Sequence, residues 1–486
     1  MTSLTPARTL GPAVAGVVAI AGALLAPTAS AAPAAPAKAK AVQPDDFDGD
    51  GYRDVVIGTP FGDVGTIRNA GHAAVLYGSK SGTLHARKQL LDQGRPGVPG
   101  TPEPYDGFGA AVSSADLDRD GYADLVVGAP GETAADTGTV SVFWGGKKGL
   151  NPAAAVIAGP AGSTIGAHLI TGDVNGDGSP DLVTSQSAGV RALLGPFTRN
   201  GSPARTTVVA GPGPETPEQL AAGDFNRDGL TDIAATAVRV ENDLPRPYLR
   251  IWHGSRSAAL TAAPDIRRAD LGFSAAAGDV NGDGYADLVT GTSETGDERD
   301  LPTARNKGGA ITWIPGSAKG LVPAKARTLN QSTAGVPGTA ERGDAFGSGV
   351  SVGRIDSDTY ADISLGVPGE DTGGRNEPGA VVVLRGSANG PTGTGARLFG
   401  QNTAGVPGTE ENADGFGWAT KLVDFNRDGR ADLIAGAPTE DAADGAVWAL
   451  KGTASGITAK GSHSFGPRAL GLPTGRADFL GAVLNR

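Results

Sequence analysis

The most constraining feature of this 486-residue chain is the phrase Asp-x-Asp-x-Asp-Gly-x-x-Asp, which recurs seven times, once in degenerate form. The copies begin at Asp46, Asp116, Asp173, Asp224, Asp279, Arg354 and Asp424. Successive copies start 70, 57, 51, 55, 75 and 70 residues apart. These intervals suit one supersecondary unit per repeat rather than one domain per repeat. The chain is therefore predicted to be an array of small, similar units.

The phrase itself predicts calcium loops. Oxygen ligands at positions 1, 3, 5 and 9, a carbonyl at position 7 and a turn-forming glycine at position 6 suit Ca²⁺. A single copy would also fit a polar Asp-Gly turn, but six near-complete copies favour metal. Mg²⁺ is less suitable because it keeps several waters and strict octahedral geometry. We expect about six structural Ca²⁺ sites. The predicted ligands are Asp46, Asp48, Asp50, Tyr52, Asp54; Asp116, Asp118, Asp120, Tyr122, Asp124; Asp173, Asn175, Asp177, Ser179, Asp181; Asp224, Asn226, Asp228, Leu230, Asp232; Asp279, Asn281, Asp283, Tyr285, Asp287; and Asp424, Asn426, Asp428, Arg430, Asp432.

The sixth copy departs from the pattern at two positions. Arg354 stands at ligand position 1, and Thr359 replaces the glycine at position 6. A cationic side chain at a ligand position opposes metal binding. We expect Arg354 to take the place of the cation and this repeat to be metal-free.

The N-terminus resembles a secretory signal. Arg8 supplies a positive n-region, Ala13–Leu25 a short apolar region, and Ala29-Ser30-Ala31 a small-residue cleavage site. A membrane anchor is the alternative, but the apolar run is shorter than the roughly 20 residues of a spanning helix. The predicted organisation is a signal peptide at 1–31, an Ala/Pro-rich linker at 32–44 and the repeats at 45–486. We expect a secreted, extracellular, monomeric protein without a membrane span.

Composition agrees with metal-stabilised loops. The chain has no cysteine, so loops in a secreted protein need another constraint, and bound metal can supply it. Loss of Arg8 with the signal changes the formal charge from −11 to −12, which six Ca²⁺ would neutralise. No basic run with interleaved aromatic residues is present in the sequence, which argues against nucleic-acid binding.

A longer phrase surrounds each loop. In the second repeat it runs Phe108-Gly109, the Asp116 loop, Gly128-Ala129-Pro130 and then Val140–Gly145. β-branched runs of four to six residues between Gly, Pro and Asp predict about four short antiparallel strands per unit. The predicted fold is all-β, a single closed seven-bladed β-propeller of about 28 strands. The first repeat lacks a Phe-Gly strand, and the C-terminal segment Phe479–Arg486 is predicted to complete it.

These Phe-Gly strands, calcium loops and Gly-Ala-Pro turns resemble the FG-GAP repeats of the integrin α-subunit propeller, and bacterial secreted FG-GAP proteins are more similar still. The resemblance covers about residues 45–486. It implies Ca²⁺ between the first two strands of a blade and partners on the opposite face. In the third and fourth repeats, Ser185 and Thr236 replace the Gly of Gly-Ala-Pro.

Three further signals have two interpretations each. Arg342-Gly343-Asp344 spells an adhesive tripeptide, but Asp344 recurs at the same repeat position as Asp106 and Asp414. Four tryptophans in predicted third strands could stack on sugars, although packing between blades is the favoured interpretation. These are Trp144, Trp252, Trp313 and Trp448. Three Gln-x-x-x-Gly-Val-Pro-Gly phrases begin at Gln93, Gln331 and Gln401. They are predicted to form ordered loops on the partner-binding face, and the alternative is that they merely join blades 1–2, 5–6 and 6–7. Three acidic loops are expected beside them. The acidic loops are Glu132–Asp136, Glu370–Asp371 with Arg375 and Glu377, and Glu440–Asp444.

The favoured function is a non-enzymatic adhesion or ligand-binding scaffold for an extracellular protein or glycan. Its alternative is a secreted hydrolase or polysaccharide lyase on a calcium-stabilised propeller, since the repeats also resemble part of a phospholipase that cleaves lipid anchors. The five histidines show no metal-ligand spacing, and a thiol nucleophile is impossible. A lectin is a third interpretation, which requires solvent-facing tryptophans. No catalytic residue is assigned.

Overall fold

Seven antiparallel sheets dominate the computed structural model. It describes residues 42–82, 84–132, 137–186, 189–210, 217–241, 244–257, 259–292 and 307–484. The predicted signal peptide and most of the linker lie outside these ranges. Six sheets hold four consecutive strands in order, one of these six carries a fifth, short strand, and the remaining sheet combines the last strand of the chain with the first three. The all-β, seven-bladed propeller is confirmed.

In each of the first four blades, the strands are given in order from the innermost, next to the propeller axis, to the outermost. Blade 1 contains β29 (Val483–Leu484), β1 (Val55–Thr59), β2 (His72–Leu76) and β3 (Lys88–Leu91); blade 2, β4 (Ala111–Ala115), β5 (Asp124–Ala129), β6 (Thr139–Phe143) and β7 (Ala155–Ala158); blade 3, β8 (Leu169–Gly172), β9 (Asp181–Gln186), β10 (Gly189–Leu194) and β11 (Arg205–Ala210); blade 4, β12 (Gln219–Gly223), β13 (Asp232–Glu241), β14 (Leu244–Ser255) and β15 (Ala259–Ala262), with β16 (Ile266–Arg267) on β14.

The remaining three blades repeat this order. Blade 5 contains β17 (Ser274–Gly278), β18 (Asp287–Thr292), β19 (Ala310–Ile314) and β20 (Arg327–Leu329); blade 6, β21 (Val350–Gly353), β22 (Asp362–Val367), β23 (Ala380–Arg385) and β24 (Thr392–Phe399); blade 7, β25 (Ala419–Val423), β26 (Asp432–Ala437), β27 (Ala446–Lys451) and β28 (Thr458–Phe465). Helical structure is limited to α1 (Glu440–Ala443), α2 (Pro467–Leu470) and 3₁₀ turns at Leu84–Ala86 and Pro323–Lys325. First strands surround a central cavity of about 510 Å³.

Antiparallel order gives the propeller two distinct faces. Loops between first and second strands carry the aspartate phrases, and we call this side the aspartate face. Loops between second and third strands, and those between successive blades, lie at the other ends of the strands, on the opposite face. In the described part of the chain, no helix is both long and apolar enough to cross a membrane.

The C-terminal strand closes the ring. β29 pairs with β1 through Leu484 opposite Ile57 and Val483 opposite Gly58. The predicted closing segment begins at Phe479, but Phe479 does not take the Phe-Gly position. Leu480 takes that position instead, because it bridges Gly445 as Phe416 bridges Gly379 in the preceding blade pair. Leu480 is fully buried, so an aliphatic side chain fills the pocket that phenylalanine fills elsewhere.

The Phe-Gly and Gly-Ala-Pro glycines meet where neighbouring blades touch. A Cβ on Gly366 would lie 1.8 Å from the Gly417 carbonyl oxygen of the next blade. The closing junction repeats this contact, because a Cβ on Gly436 would lie 2.1 Å from the Gly481 oxygen. Only glycine permits such an approach. In blade 4 the contact is replaced by a hydrogen bond, since the Thr236 hydroxyl donates to the Phe273 carbonyl at 2.8 Å.

The core lies between the blades. The predicted packing of the four third-strand tryptophans is confirmed, because all are buried. Their exposed fractions are 2% for Trp144, 0% for Trp252, 5% for Trp313 and 1% for Trp448. Trp448 meets the Phe-Gly ring of Phe416 edge-on, with centroids 5.1 Å apart. The interpretation of these four residues as sugar platforms is wrong.

Candidate functional site

The last aspartate of each phrase links its loop to the blade by hydrogen bonds. In blade 2, Asp124 accepts hydrogen bonds from the Leu117 amide at 2.8 Å and the Gly145 amide at 2.9 Å. The amide after the third strand bonds this aspartate in every blade: Gly78 to Asp54, Gly145 to Asp124, Gly195 to Asp181, Gly254 to Asp232, Gly316 to Asp287, Gly386 to Asp362 and Gly452 to Asp432. These glycines are required by space, since a Cβ on Gly145 would lie 2.1 Å from the Ala123 oxygen.

The first and fifth positions shape the loop. In blade 2, one oxygen of Asp116 accepts the Gly121 amide at 3.1 Å, and one oxygen of Asp120 accepts the Tyr122 amide at 3.1 Å. The position-1 contact recurs in the other complete loops, from Gly51 to Asp46, Gly178 to Asp173, Gly229 to Asp224, Gly284 to Asp279 and Gly429 to Asp424. Six loops therefore share one conformation, which is imposed by side-chain acceptors and loop amides.

The donor set fits a hard divalent cation. In the first two loops the carboxylates at positions 1, 3 and 5 have oxygens within 4.8 Å of one another. Asp46 is buried, and its Oδ1 has no hydrogen-bond partner among the described residues. An asparagine amide replaces the third-position carboxylate in the other four loops, which keeps an oxygen donor. Several clustered carboxylate and amide oxygens are the ligand chemistry of Ca²⁺.

Electrostatics in these loops favour the entry of positive charge. Burial, with the nearby Asp48 and Asp46 carboxylates, raises the pKa of Asp54 to about 9. Burial and the Asp428 and Asp424 carboxylates raise the pKa of Asp432 to about 8. Like charges held together in a partly buried site disfavour ionisation. A divalent cation would offset this repulsion, so it would compete with protons for the loops.

The sixth loop contains a built-in cation, but it is not the predicted residue. Arg354 donates to the Asp358 carbonyl at 2.8 Å. Arg385, at the end of β23, instead directs its guanidinium to the loop carboxylates. It contacts Asp356 and lies 3.9 Å from Asp358 and 3.6 Å from Asp362. The prediction of a cation is right in kind, but Arg385 comes from the third strand and was not identifiable from the loop pattern.

Arginines also approach the first two loops, with one difference. Arg87 contacts Asp48, and Arg199 contacts Asp118 and lies 2.5 Å from Asp120. Their side chains are 49% and 52% exposed, whereas Arg385 is 21% exposed. About half of the Arg87 and Arg199 side chains is thus open to solvent, although each also lies over an aromatic ring, Tyr77 and Trp144 respectively. Arg385 is held within its loop.

The predicted neighbourhood of the Gln phrases and acidic loops is confirmed on the opposite face. Gln401 donates to Glu440 at 2.8 Å, and the same contact joins Gln93 to Glu132 and Gln331 to Glu370. Residues 133–136 of the first acidic loop lie outside the described residues. Burial and the neighbouring Asp414 raise the pKa of Glu440 to about 8. These pairs brace one blade against the next.

The repeat also accounts for the adhesive-tripeptide aspartate. Asp344 is 2% exposed, and its carboxylate accepts the Glu341 amide at 2.5 Å. Asp414 accepts the Glu411 amide at 2.7 Å in the same way. A side chain that is buried and bonded within its own loop is not available to a receptor.

A cavity of about 430 Å³ opens on the opposite face where blades 1 and 7 meet. Its aromatic walls are Phe61, Trp418 and Phe479. Phe61 and Trp418 are each 53% exposed, and Phe61 meets Phe479 edge-on with centroids 6.0 Å apart. Arg68 and Arg476 complete the rim. The sequence did not indicate this cavity, because its walls come from separate segments near the two ends of the propeller sequence.

Blade 4 holds a second feature that the sequence did not indicate. Four arginines line a cleft of about 260 Å³ with Tyr248: Arg239 and Arg246 on the long hairpin, Arg267 on β16 and Arg268 directly after it. Arg268 is paired with Asp270 at 2.7 Å. These arginines are scattered in the sequence, so no contiguous basic run marks them.

Comparisons with known proteins agree with the repeat assignment. The FG-GAP repeat family matches residues 40–76, 108–143, 271–311 and 416–450, and the FG-GAP-like repeat family matches residues 173–235. Phosphatidylinositol-glycan-specific phospholipase D of Bos taurus is 33% identical over 172 residues, which cover 34% of this chain and 19% of that protein. Integrin alpha-V of Gallus gallus is 26% identical over 221 residues, 45% of this chain and 19% of that protein.

The chain therefore spans about a fifth of the length of these relatives. The segments that match the FG-GAP repeat family contain aspartate loops, and two of them, 108–143 and 416–450, also contain both the Phe-Gly and the Gly-Ala-Pro positions. Sequence repeats, blade order and interblade geometry lead to the same assignment. The chain contains FG-GAP repeats and folds as an integrin-α-like, seven-bladed β-propeller.

Proposed function

We propose that this protein is a secreted, calcium-stabilised propeller that acts as a non-enzymatic adhesion or ligand-binding scaffold for a protein or glycan. The observation that carries the proposal is the common loop geometry in six blades, with oxygen donors clustered on one face. The proposal includes a signal peptide at 1–31, a linker at 32–44, a propeller at 45–486 and a monomeric extracellular form. The named relatives, integrin alpha-V and a phospholipase D, are consistent with more than one role for such a propeller.

In this proposal the metal has a structural role. The ligands are the side chains at positions 1, 3, 5 and 9, with the carbonyl at position 7, in each of the six complete loops. Bound Ca²⁺ would supply positive charge that neutralises the carboxylates and holds the loop closed. Its binding free energy would then add to folding stability. Chelation should lower the melting temperature, and an unchanged melting temperature would contradict this role.

The scaffold interpretation is favoured over a hydrolase or lyase because the acidic residues are buried or already hydrogen-bonded within the fold. Glu370 and Glu440 of the opposite face are buried and hydrogen-bonded to glutamines. Most clustered aspartates are engaged in the loops of the aspartate face. These acids are therefore used to join blades and shape loops.

One experiment distinguishes the two functions. The calcium-loaded protein is incubated with glycan arrays and cell-envelope fractions while turnover is followed by mass spectrometry. Saturable retention without product supports the scaffold. Product formation that disappears in Glu132→Gln or Glu440→Gln, but not in the exposed control Glu411→Gln, would establish an enzyme instead.

A further inference from the structure

We infer that the cavity between blades 1 and 7 binds a saccharide bearing a terminal uronic acid. This inference rests on the proposed scaffold function and assigns it a site and a ligand class. The cavity of about 430 Å³ falls within the size range of small-ligand sites. It lies on the opposite face, away from the aspartate loops.

Two aromatic side chains that line the cavity are much more exposed to solvent than the buried tryptophans of the core. Trp418 and Phe61 are each 53% exposed, whereas the four third-strand tryptophans are at most 5% exposed. Large aromatic residues normally bury their surface in a core or interface. Two of them facing one cavity create a local apolar surface, and such surfaces mark interaction sites.

Hydrogen bonds hold the cavity walls before any ligand arrives. Asp478 accepts the Asp63 amide at 3.1 Å, and Asp63 accepts the Asn69 amide at 3.0 Å. Asp444 accepts the Gly475 amide at 2.7 Å, which fixes the opposite wall. Arg476 donates to the Gly65 carbonyl at 2.6 Å and ties the two walls together. A pre-organised site loses less entropy on binding.

The positive charge of the arginines in the cavity favours a ligand that carries a carboxylate. Two arginines, Arg68 and Arg476, line the cavity with one carboxylate, Asp63, which accepts the Asn69 amide. The charged lining residues therefore sum to one positive charge, on a chain whose formal net charge is −11. Arg476 is already bonded to Gly65. The Arg68 side chain is exposed and has no hydrogen-bond or ion-pair partner among the described residues. Its guanidinium fork is suited to a carboxylate.

A uronic acid matches both the aromatic side and the arginine side of the cavity. A pyranose ring has an apolar C–H face that can lie on an aromatic ring, and a uronic acid adds one carboxylate at its edge. We place the ring against Trp418 and Phe61, and the carboxylate at Arg68. Thr439 and Asn69 line the remaining wall and offer polar groups to hydroxyls. An acidic peptide would use the arginine but would leave the paired aromatic surfaces without a matching flat partner.

The test is calorimetric titration of the calcium-loaded full chain with two matched disaccharides. One carries a terminal glucuronic acid, and the other a terminal glucose in the same linkage. Trp418→Ala and Phe61→Ala should each weaken binding of both probes by about tenfold or more, equivalent to about 1.4 kcal/mol. Arg68→Gln should remove the preference for the acidic probe and leave the neutral probe unaffected. The controls are Tyr105→Ala, an exposed aromatic outside the cavity, and Arg468→Gln, an exposed arginine.

The outcomes separate this inference from the scaffold function. Equal binding of the two probes, or binding that is unchanged in Trp418→Ala and Phe61→Ala, overturns the cavity assignment. Failure of wild-type protein to bind the acidic probe also overturns it, even if other extracellular material is retained and the scaffold stands. Hydrolysis or elimination of the probe would overturn the scaffold function itself. Unchanged melting temperatures in all variants would show that lost binding is not lost folding.

Discussion

Lys421 and Asp45 are 376 positions apart, yet the lysine Nζ lies 3.4 Å from a carboxylate oxygen of the aspartate. Lys421 belongs to β25 of blade 7, and Asp45 precedes the first aspartate loop. Asp45 also pairs with Arg53 at 2.8 Å and accepts the hydroxyl of Ser114 from blade 2. Burial opposes its ionisation, but Lys421 and Arg53 dominate and hold the pKa of Asp45 at about 2. This buried carboxylate connects three blades at the point of closure.

Disrupting this ion pair should loosen the closed ring. Asp45→Asn removes the Asp45 charge from the buried ion pair with Lys421, and breaking a buried ion pair typically costs about 3–5 kcal/mol. Urea unfolding of Asp45→Asn, Lys421→Met and the double variant, all with saturating Ca²⁺, measures the coupling. We expect the double variant to be more stable than the sum of the single losses predicts. Strict additivity would show that the pair does not contribute to closure.

The interblade glycine contact makes a separate prediction. Gly436→Ala places a methyl group against the Gly481 backbone oxygen and should destabilise the protein by about 2–3 kcal/mol. Gly146→Ala is the matched control, because its nearest neighbour would be 4.0 Å from the new Cβ. Thermal unfolding should separate the two variants. Equal melting temperatures would mean that the closing junction is not packed as described.

Local patterns in the sequence predicted the blades, and nonlocal contacts account for what was missed. The aspartate phrase encodes its own loop because its acceptors and amides are neighbours in the chain. Leu480 could not be assigned to the Phe-Gly position from spacing alone, since only pairing with Gly445 fixes its register. Arg385 reaches its loop from another strand. Trp418 follows a conventional Phe-Gly pair, and no sequence pattern distinguishes its exposure from the burial of the other tryptophans.

The sixth loop allows a test of the built-in cation. Arg385→Met removes the guanidinium from Asp356, whose side chain is 4% exposed, and leaves this buried carboxylate with the Asp358 amide but without the Arg385 charge. We expect a loss of about 3 kcal/mol or more in calcium-free buffer. Arg354→Met should cost less, because Arg354 bonds a carbonyl of the partly exposed loop. The reverse order in chemical denaturation would restore Arg354 as the principal cation.

Glu370 should make stability depend on pH in a defined window. Burial is the main cause that raises its pKa to about 7 from an ordinary value of 4.5. The unfolded chain therefore releases this proton first, so the stabilisation is complete below about pH 4.5 and is lost as pH rises to about 7. Glu370→Gln should gain stability relative to wild type across that window, while keeping an acceptor for Gln331.

The corresponding measurement is urea unfolding at several pH values with saturating Ca²⁺. Each unit of pKa shift corresponds to about 1.4 kcal/mol before solvent screening reduces it. Glu411→Gln, at an exposed position, is the control and should follow wild type. Parallel curves for Glu370→Gln and wild type would contradict the assigned burial effect.

The most direct test of the account is the number of calcium ions held by one chain. The protein is dialysed exhaustively against micromolar Ca²⁺, and bound metal is counted by elemental analysis. Six complete loops with one shared geometry predict six equivalents, and five in a variant that carries Asp224→Ala with Asp228→Ala. A count of one or zero for the wild-type protein would contradict the calcium-stabilised propeller.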